Sequence, residues 1–214
     1  MTEIIAVIRQ TKYRIYLISL IALILNACGL LGTHYPEMHG RVMHEVYDKP
    51  LSHTVVVALW KGKEVQNNLE KEVCYHVETS TSDDKGYFSF AEWREPSSYG
   101  HLKDKAIHVF AFRRYYRTSE LTSEILKHKN NIYYLTKPRP IDDEIKARED
   151  RLKYLQLLVG KTTCDLKGES RTNLRTFFSE IIEEAELIAV SDKDRQVVEK
   201  LKSWLSYVSK PDES

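Results

Sequence analysis

Residues Thr54 to Trp60 read TVVVALW, a run without charge and with apolar side chains at both odd and even positions. Successive side chains of a strand point to opposite faces, so this run predicts a strand covered on both sides. Strand and turn signals surround it from Met38 to about Lys137. His39 to Met43 leads to a turn at Tyr47-Asp48-Lys49-Pro50, and Val73 to Thr81 is rich in Val, Thr and Tyr. Asp83-Asp84-Lys85-Gly86 predicts a hairpin turn in which Gly86 supplies the positive φ. Phe88 and Phe90 then share one face with Ser89 on the other, and Ala106–Phe112 and Asn131–Thr136 add two more strands. Between those last two, a helical turn is expected around Leu121 to Lys127. No helix alternates with the strands, which argues for an antiparallel sandwich.

After Pro138 and Pro140 the apolar period changes from that of strands to that of helices. Asp142 and Asp143 sit where a helix dipole favours acid, and Ile145, Leu152, Leu155 and Val159 follow at helical spacing before Gly160. Leu174, Phe177, Phe178, Ile181, Ile182 and Ala185 form a second stripe, with Glu180, Glu183 and Glu184 opposite. Ser191-Asp192-Lys193-Asp194 has capping-box spacing ahead of a third stripe from Val197 to Val208. Helices this short need tertiary packing, and the acidic polar face of the second makes docking on the sandwich the expectation rather than binding to anionic lipid.

The first thirty residues read differently. Arg9, Lys12 and Arg14 precede an eleven-residue apolar run from Ile15 to Leu25. That pattern predicts a secretory signal, since spanning a bilayer takes about 20 apolar residues. Leu25-Asn26-Ala27-Cys28 resembles a bacterial lipobox, with Asn26 a less usual occupant. The resemblance implies a lipoprotein signal over 1–27, lipid on Cys28 and a tether over 28–37. Gly29 after the cysteine, in place of Asp, favours the outer membrane facing the periplasm. An uncleaved anchor extending through Leu31 is the other reading. The formal net charge of the whole chain is +1, and losing 1–27 would remove more base than acid. Neither balance calls for nucleic acid.

Three cysteines are too few for a disulfide scaffold. With Cys28 assigned to lipid, Cys74 and Cys164 remain, and an oxidising periplasm favours a bridge between them if they meet in space. Closing a loop of about 90 residues would stabilise by roughly 4–5 kcal/mol in the chain-entropy model. Two separately buried thiols are the alternative.

Gly40-Arg41-Val42, Lys49-Pro50-Leu51, Val55 to Leu59, Thr79 to Thr81 and Asp84-Lys85-Gly86-Tyr87-Phe88 together resemble the carboxypeptidase regulatory-like domain. The resemblance covers 38–137 and implies a transthyretin-like β-sandwich of seven strands or so. The charged stretch Lys61 to Lys71, expected as a loop, and the insertion Glu92 to Lys105 depart from the pattern. With the C-terminal bundle of about three helices over 138–210, the expected class is α+β. The wider combination resembles uncharacterised bacterial envelope proteins and imports no activity.

Candidate chemistry is sparse. His34-Tyr35-Pro36-Glu37 has zinc-peptidase spacing but lies in the tether, without the domain that would complete a site. Tyr116-Arg117-Thr118-Ser119 partly echoes the ending of hydroxyisourate hydrolases, without its glycine. His44, His53 and His76 are weak metal candidates, His44 and His76 through a shared sheet face; scattered packed or surface histidines are the plainer reading. No phosphate loop, nucleophile elbow or dinucleotide fingerprint occurs, and Cys164 has no neighbouring histidine to activate it. Tyr99, Tyr115, Tyr116, Tyr133 and Tyr134 gather around the late strands, where they suit either packing or a binding surface. The expectation is a non-enzymatic envelope lipoprotein without cofactor, its sandwich a scaffold or interaction module for an envelope protein. A module for carbohydrate, peptidoglycan or a metal ion is the alternative.

Overall fold

The computed structural model describes residues 32–118, 132–138, 142–163, 165–166 and 169–209. The expected signal, Cys28, the helical turn expected at Leu121–Lys127, Ser119, Pro140 and Cys164 lie outside them. The chain divides into two compact units. In the smaller, residues 32–36 join 92–101. Strand β1 (His34–Tyr35) pairs antiparallel with β6 (Trp93–Arg94), followed by a 3₁₀ turn at Ser97–Tyr99. The Tyr35 ring stacks on Trp93 with centroids 5.1 Å apart, and its hydroxyl donates to Glu95 Oε2 at 3.3 Å. The expected tether thus contributes a strand from its described part.

The larger unit is a mixed α+β body, a β-sandwich followed by three helices. Its strands are β2 (Met38–His44), β3 (Val55–Gln66), β4 (Leu69–Thr81), β5 (Tyr87–Phe90), β7 (Lys103–Phe112), β8 (Arg117–Thr118), β9 (Ile132–Thr136) and β10 (Asp165–Leu166). One sheet has the order β10-β4-β3-β7 and the other β5-β2-β9-β8. Most pairs are antiparallel, but β2 runs parallel to β9 and β4 to β10. Parallel neighbours need a long crossover, and β2 reaches β9 only after the chain has passed through the other sheet.

Strand β3 is central, and every residue from Val55 to Gly62 is buried. Val56, Ala58 and Trp60 belong to the face turned to the second sheet, where Val42, Phe88, Phe90 and Leu135 lie buried. The Trp60 and Phe90 rings meet edge-on at 6.5 Å. Burial holds the Tyr133 phenol, in the same layer, well above its ordinary pKa. Val55, Val57 and Leu59 take the opposite face and share a core with the helices. The run singled out in sequence is therefore covered on both sides, once by strands and once by helices.

Lys61 to Lys71 is not a loop. It prolongs β3 and β4 into a long hairpin that turns at Asn67-Asn68, both with positive φ. Its charges answer each other across the strands: Lys61 reaches Glu72 at 2.9 Å and Lys63 reaches Glu70 at 3.1 Å. Cross-strand pairing of opposite charges lets a polar segment remain extended. At the other hairpin, Gly86 has φ +78°, and a Cβ there would stand 2.5 Å from the Val42 carbonyl oxygen. Only glycine fits that turn without displacing backbone.

Helices α1 (Glu144–Thr162), α2 (Arg175–Ile188) and α3 (Asp192–Ser209) carry the predicted stripes. Asp143 caps α1 by accepting from the Lys146 N–H, and the helix runs through Gly160. Phe177 and Phe178 of α2 are buried, and Phe177 meets Phe112 of β7 edge-on at 6.2 Å. Burying each such ring stabilises by about 1.5–3 kcal/mol. The helical stripe docks on the sandwich, in line with the expectation, while of the acids on the opposite face Glu180 is half-buried, Glu183 exposed and Glu184 buried.

The α3 N-terminus forms a reciprocal cap. The Asp194 N–H donates to Ser191 Oγ at 3.1 Å, and Asp194 Oδ2 accepts from the Ser191 and Val190 N–H groups at 2.9 and 3.1 Å. The backbone donor of Ser191 leads the interactions that hold this carboxyl at about 2, below the ordinary 3.8, with Arg148 adding its charge. A lowered folded-state pKa stabilises above the unfolded value, and that contribution fades as pH falls from about 4 through about 2. Asp194→Asn is expected to lower stability at pH 7 by about 1 kcal/mol and to flatten the acid limb of the Tm-versus-pH curve. Thermal melts between pH 2 and 7 check both effects.

Candidate functional site

The segment that leaves β7 reads Arg113-Arg114-Tyr115-Tyr116-Arg117. It crosses the rim between sandwich and helices, and each of its side chains has a definite station. Arg114 donates from Nε to Glu180 Oε2 at 3.0 Å and also engages Glu183, both on α2. Burial works against its charge, yet the two carboxylates hold Arg114 above its ordinary pKa. Arg117 lies over the Tyr154 ring at 5.1 Å, while the Thr118 N–H donates to the Tyr154 hydroxyl at 3.0 Å.

Beneath this segment lies a buried ion pair. Arg151 of α1 grips Glu184 of α2 in a bidentate fork, Nε to Oε1 and Nη2 to Oε2, each at 2.7 Å. The Glu184 side chain has no solvent exposure and that of Arg151 only 9%. Arg151 also donates to the Tyr116 carbonyl, and the Tyr115 N–H donates to Glu184 Oε1 at 3.2 Å. One carboxylate therefore receives two guanidinium bonds and one backbone bond. This accounts for Tyr115, which sits at φ 64° in the left-handed region. Such backbone costs on the order of 1–3 kcal/mol and persists where the surroundings over-determine it.

Above the pair opens a cleft of about 360 Å³, with Phe112 at its base and Arg113, Tyr115, Tyr116 and Lys137 among its walls. Tyr115 is 55% exposed. The Tyr116 ring has the Arg113 guanidinium at 5.5 Å and the Lys137 ammonium at 5.8 Å. His44 packs edge-on against the same ring at 5.7 Å. His53, on the rim, also has positive φ, at 52°. A second groove, of about 370 Å³, runs between β4 and α2 and is lined by Thr79, Ser80, Thr81, Thr172 and Thr176. Thr79 there donates to the Asn173 carbonyl, and Asn173 Nδ2 donates to the Val77 carbonyl at 2.6 Å. Those bonds tie the 3₁₀ turn Glu169–Leu174 to β4.

The expected site residues separate. His44 is buried in β2 with its Nδ1 accepting from the Val46 N–H and its ring edge-on to Tyr116. His76 is in the other sheet, 2.9 Å from Glu78 and packed against Trp60. His44 and His76 thus do not share the sheet face proposed for them, because β2 and β4 belong to different sheets. His53 is exposed, 3.8 Å from Asp84. Among the described residues no three His, Cys, Asp or Glu side chains group as metal ligands. His34 lies 3.5 Å from Glu92 in the small unit. The tyrosines divide as well: Tyr133 is buried in the sandwich, Tyr99 belongs to the small unit, and Tyr115 and Tyr116 form the cleft. Arg113 and Lys137 join the cleft without having been expected as site residues. The interleaving of base and tyrosine at the end of β7 marks Arg113, whereas Lys137, just after β9, carries no such local signal.

Cys74 is buried on β4. Its Cα partner across the parallel pair is Leu166, two residues beyond Cys164. Among the described residues no helix is long and apolar enough to cross a membrane. The chain matches no protein-family model, no curated protein and no solved structure.

Removing one partner of the buried pair leaves a charge without compensation, which typically costs 3–5 kcal/mol. Glu184→Gln and Arg151→Leu are each expected to lower stability by about that much in urea unfolding. The double variant Arg151→Leu/Glu184→Leu is expected to lose less than the sum, which a double-mutant cycle measures.

Proposed function

We propose that this chain is a non-enzymatic lipoprotein of the bacterial envelope, anchored through Cys28, whose sandwich and helices act together as an interaction module. The observation that carries the reading is the clamp of Arg151, Glu184 and Arg114. It welds the helical layer to the rim of the sandwich and holds a strained, exposed Tyr115 at an open cleft. Binding surfaces are built from rigid supports that present aromatic and basic side chains, and this rim has that composition. Cations and phenols predominate among the polar groups of the lining, beside His53 and the Glu180 carboxylate that Arg114 engages, a composition suited to holding a ligand.

The anchor rests on the basic stretch, the apolar run and Leu25-Asn26-Ala27-Cys28. The motifs resembling the carboxypeptidase regulatory-like domain fall on β2, on β3 and at the turn into β5, which supports an accessory fold of that kind. We further propose that Cys74 and Cys164 are bridged. The register supports it, because the chain just after Cys164 runs alongside β4 at Cys74. Such a bridge would fasten α1 and the turn that follows it to the central sheet. A carbohydrate or peptidoglycan ligand is the second reading, favoured by the exposure of Tyr115 beside Tyr116.

The test is the intact mass of the protein from its native membrane fraction, taken without reductant. The expected mass is that of residues 28–214 plus diacyl or triacyl modification, less two hydrogens for the bridge. A full-length mass with free thiols would remove both the anchor and the disulfide.

A further inference from the structure

The cleft holds two cations that no carboxylate answers. Arg113 and Lys137 both lie within 6 Å of the Tyr116 ring centre, and neither makes an ion pair among the described residues. The carboxylates nearby are already engaged. Glu180, itself on the cleft wall, and Glu183 serve Arg114, Glu184 serves Arg151, and Asp84 stands beside His53. Arg113 is oriented by a hydrogen bond to the Ser52 carbonyl and by its stacking on Tyr116, which leaves donors of its fork free. Lys137 makes no side-chain hydrogen bond among the described residues and is exposed. A π face eases the approach of two like charges without neutralising them.

Resting on the reading of this chain as an interaction module, we propose that the cleft is an oxyanion subsite. It takes the carboxylate or phosphate group of a ligand between Arg113 and Lys137, while Tyr115 offers its ring to the part of the ligand that follows. The guanidinium fork matches the planar edge of either anion, and the ammonium adds an unoriented second charge. The strained backbone of Tyr115 and His53 fits the same account. Each is a bulky residue held at positive φ on the cleft wall, and Tyr115 is held there by the buried Glu184. Sequence distance conceals the arrangement, since Arg113 follows β7 and Lys137 follows β9.

Full-length protein in a neutral detergent, titrated at constant ionic strength and followed by backbone NMR, tests the proposal. The probes are inorganic phosphate, free glutamate and the uncharged sugar N-acetylglucosamine. Saturable shifts at residues 113–117 and 137 with phosphate or with glutamate are expected, and the preferred probe identifies which anion the subsite serves. Lys137→Gln is the clean variant, because that side chain supports no other described residue by a hydrogen bond. It and Arg113→Gln are each expected to weaken binding about tenfold, with Arg113→Lys recovering part of the loss. Unchanged Tm and unchanged spectra away from the cleft certify each fold. No saturable shift with either anion overturns the subsite, as does anion binding that Lys137→Gln leaves unaltered. Shifts with the neutral sugar that survive both variants also overturn it, and assign the cleft to uncharged glycan. Failure here leaves the lipid anchor standing, since the mass measurement tests that independently.

Discussion

From Val55 to Gly62 the central strand has no side facing water, and the rest of the larger unit is arranged to keep it so. One face requires a second sheet, which β2, β5, β8 and β9 provide. The other requires an apolar layer that the strands cannot supply, and the three helices bring it in Leu155, in Phe177, Phe178 and Ile181, and in Leu201. Without the helices, Val55, Val57, Leu59 and Phe110 would be open to solvent, a patch that a soluble sandwich does not tolerate well. The C-terminal region is therefore a structural half of the body rather than an appendage.

Apolar cover alone does not set the angle at which helices meet a sheet edge. Directional bonds do that here. Arg114 reaches from the end of β7 to α2, Arg151 reaches from α1 to both α2 and the Tyr116 carbonyl, and Lys61 of β3 donates to the Lys161 carbonyl of α1 at 3.3 Å. A buried pair adds little net stability against an apolar alternative, but it penalises every arrangement in which the partners miss each other. The same carboxylate that fixes α1 on α2 also holds Tyr115 in its strained backbone. Rigidity of the core and presentation of the cleft are thus one feature, and Glu184 belongs to both.

Glu184 also shows where a linear reading stops. In the sequence it sits with Glu180 and Glu183 on the polar face of an amphipathic helix, and the natural expectation is a solvated acid. In the structure it is wholly buried, because α1 lies close enough to deliver a guanidinium at the right height. Lys61 to Lys71 misleads in the opposite sense. Its charges suggest a loop, whereas pairing across the hairpin keeps them extended. In both cases the partner that decides the outcome comes from elsewhere in the fold or from the facing strand, where no local pattern records it.

The layers follow from local patterns in the linear chain. TVVVALW demanded cover on two faces, Gly86 and the acidic turn before it dictated a hairpin, and Ser191 with Asp194 dictated where the last helix starts. These depend on side-chain alternation, backbone sterics and a local hydrogen bond, all of which act within a few residues. The parallel pairing of β2 with β9, the separation of His44 from His76, and the meeting of Arg113, Tyr116 and Lys137 emerge only once the chain is folded. Each depends on residues far apart in the chain, and which of them become neighbours follows from how a second sheet and three helices cover the two faces of the central sheet.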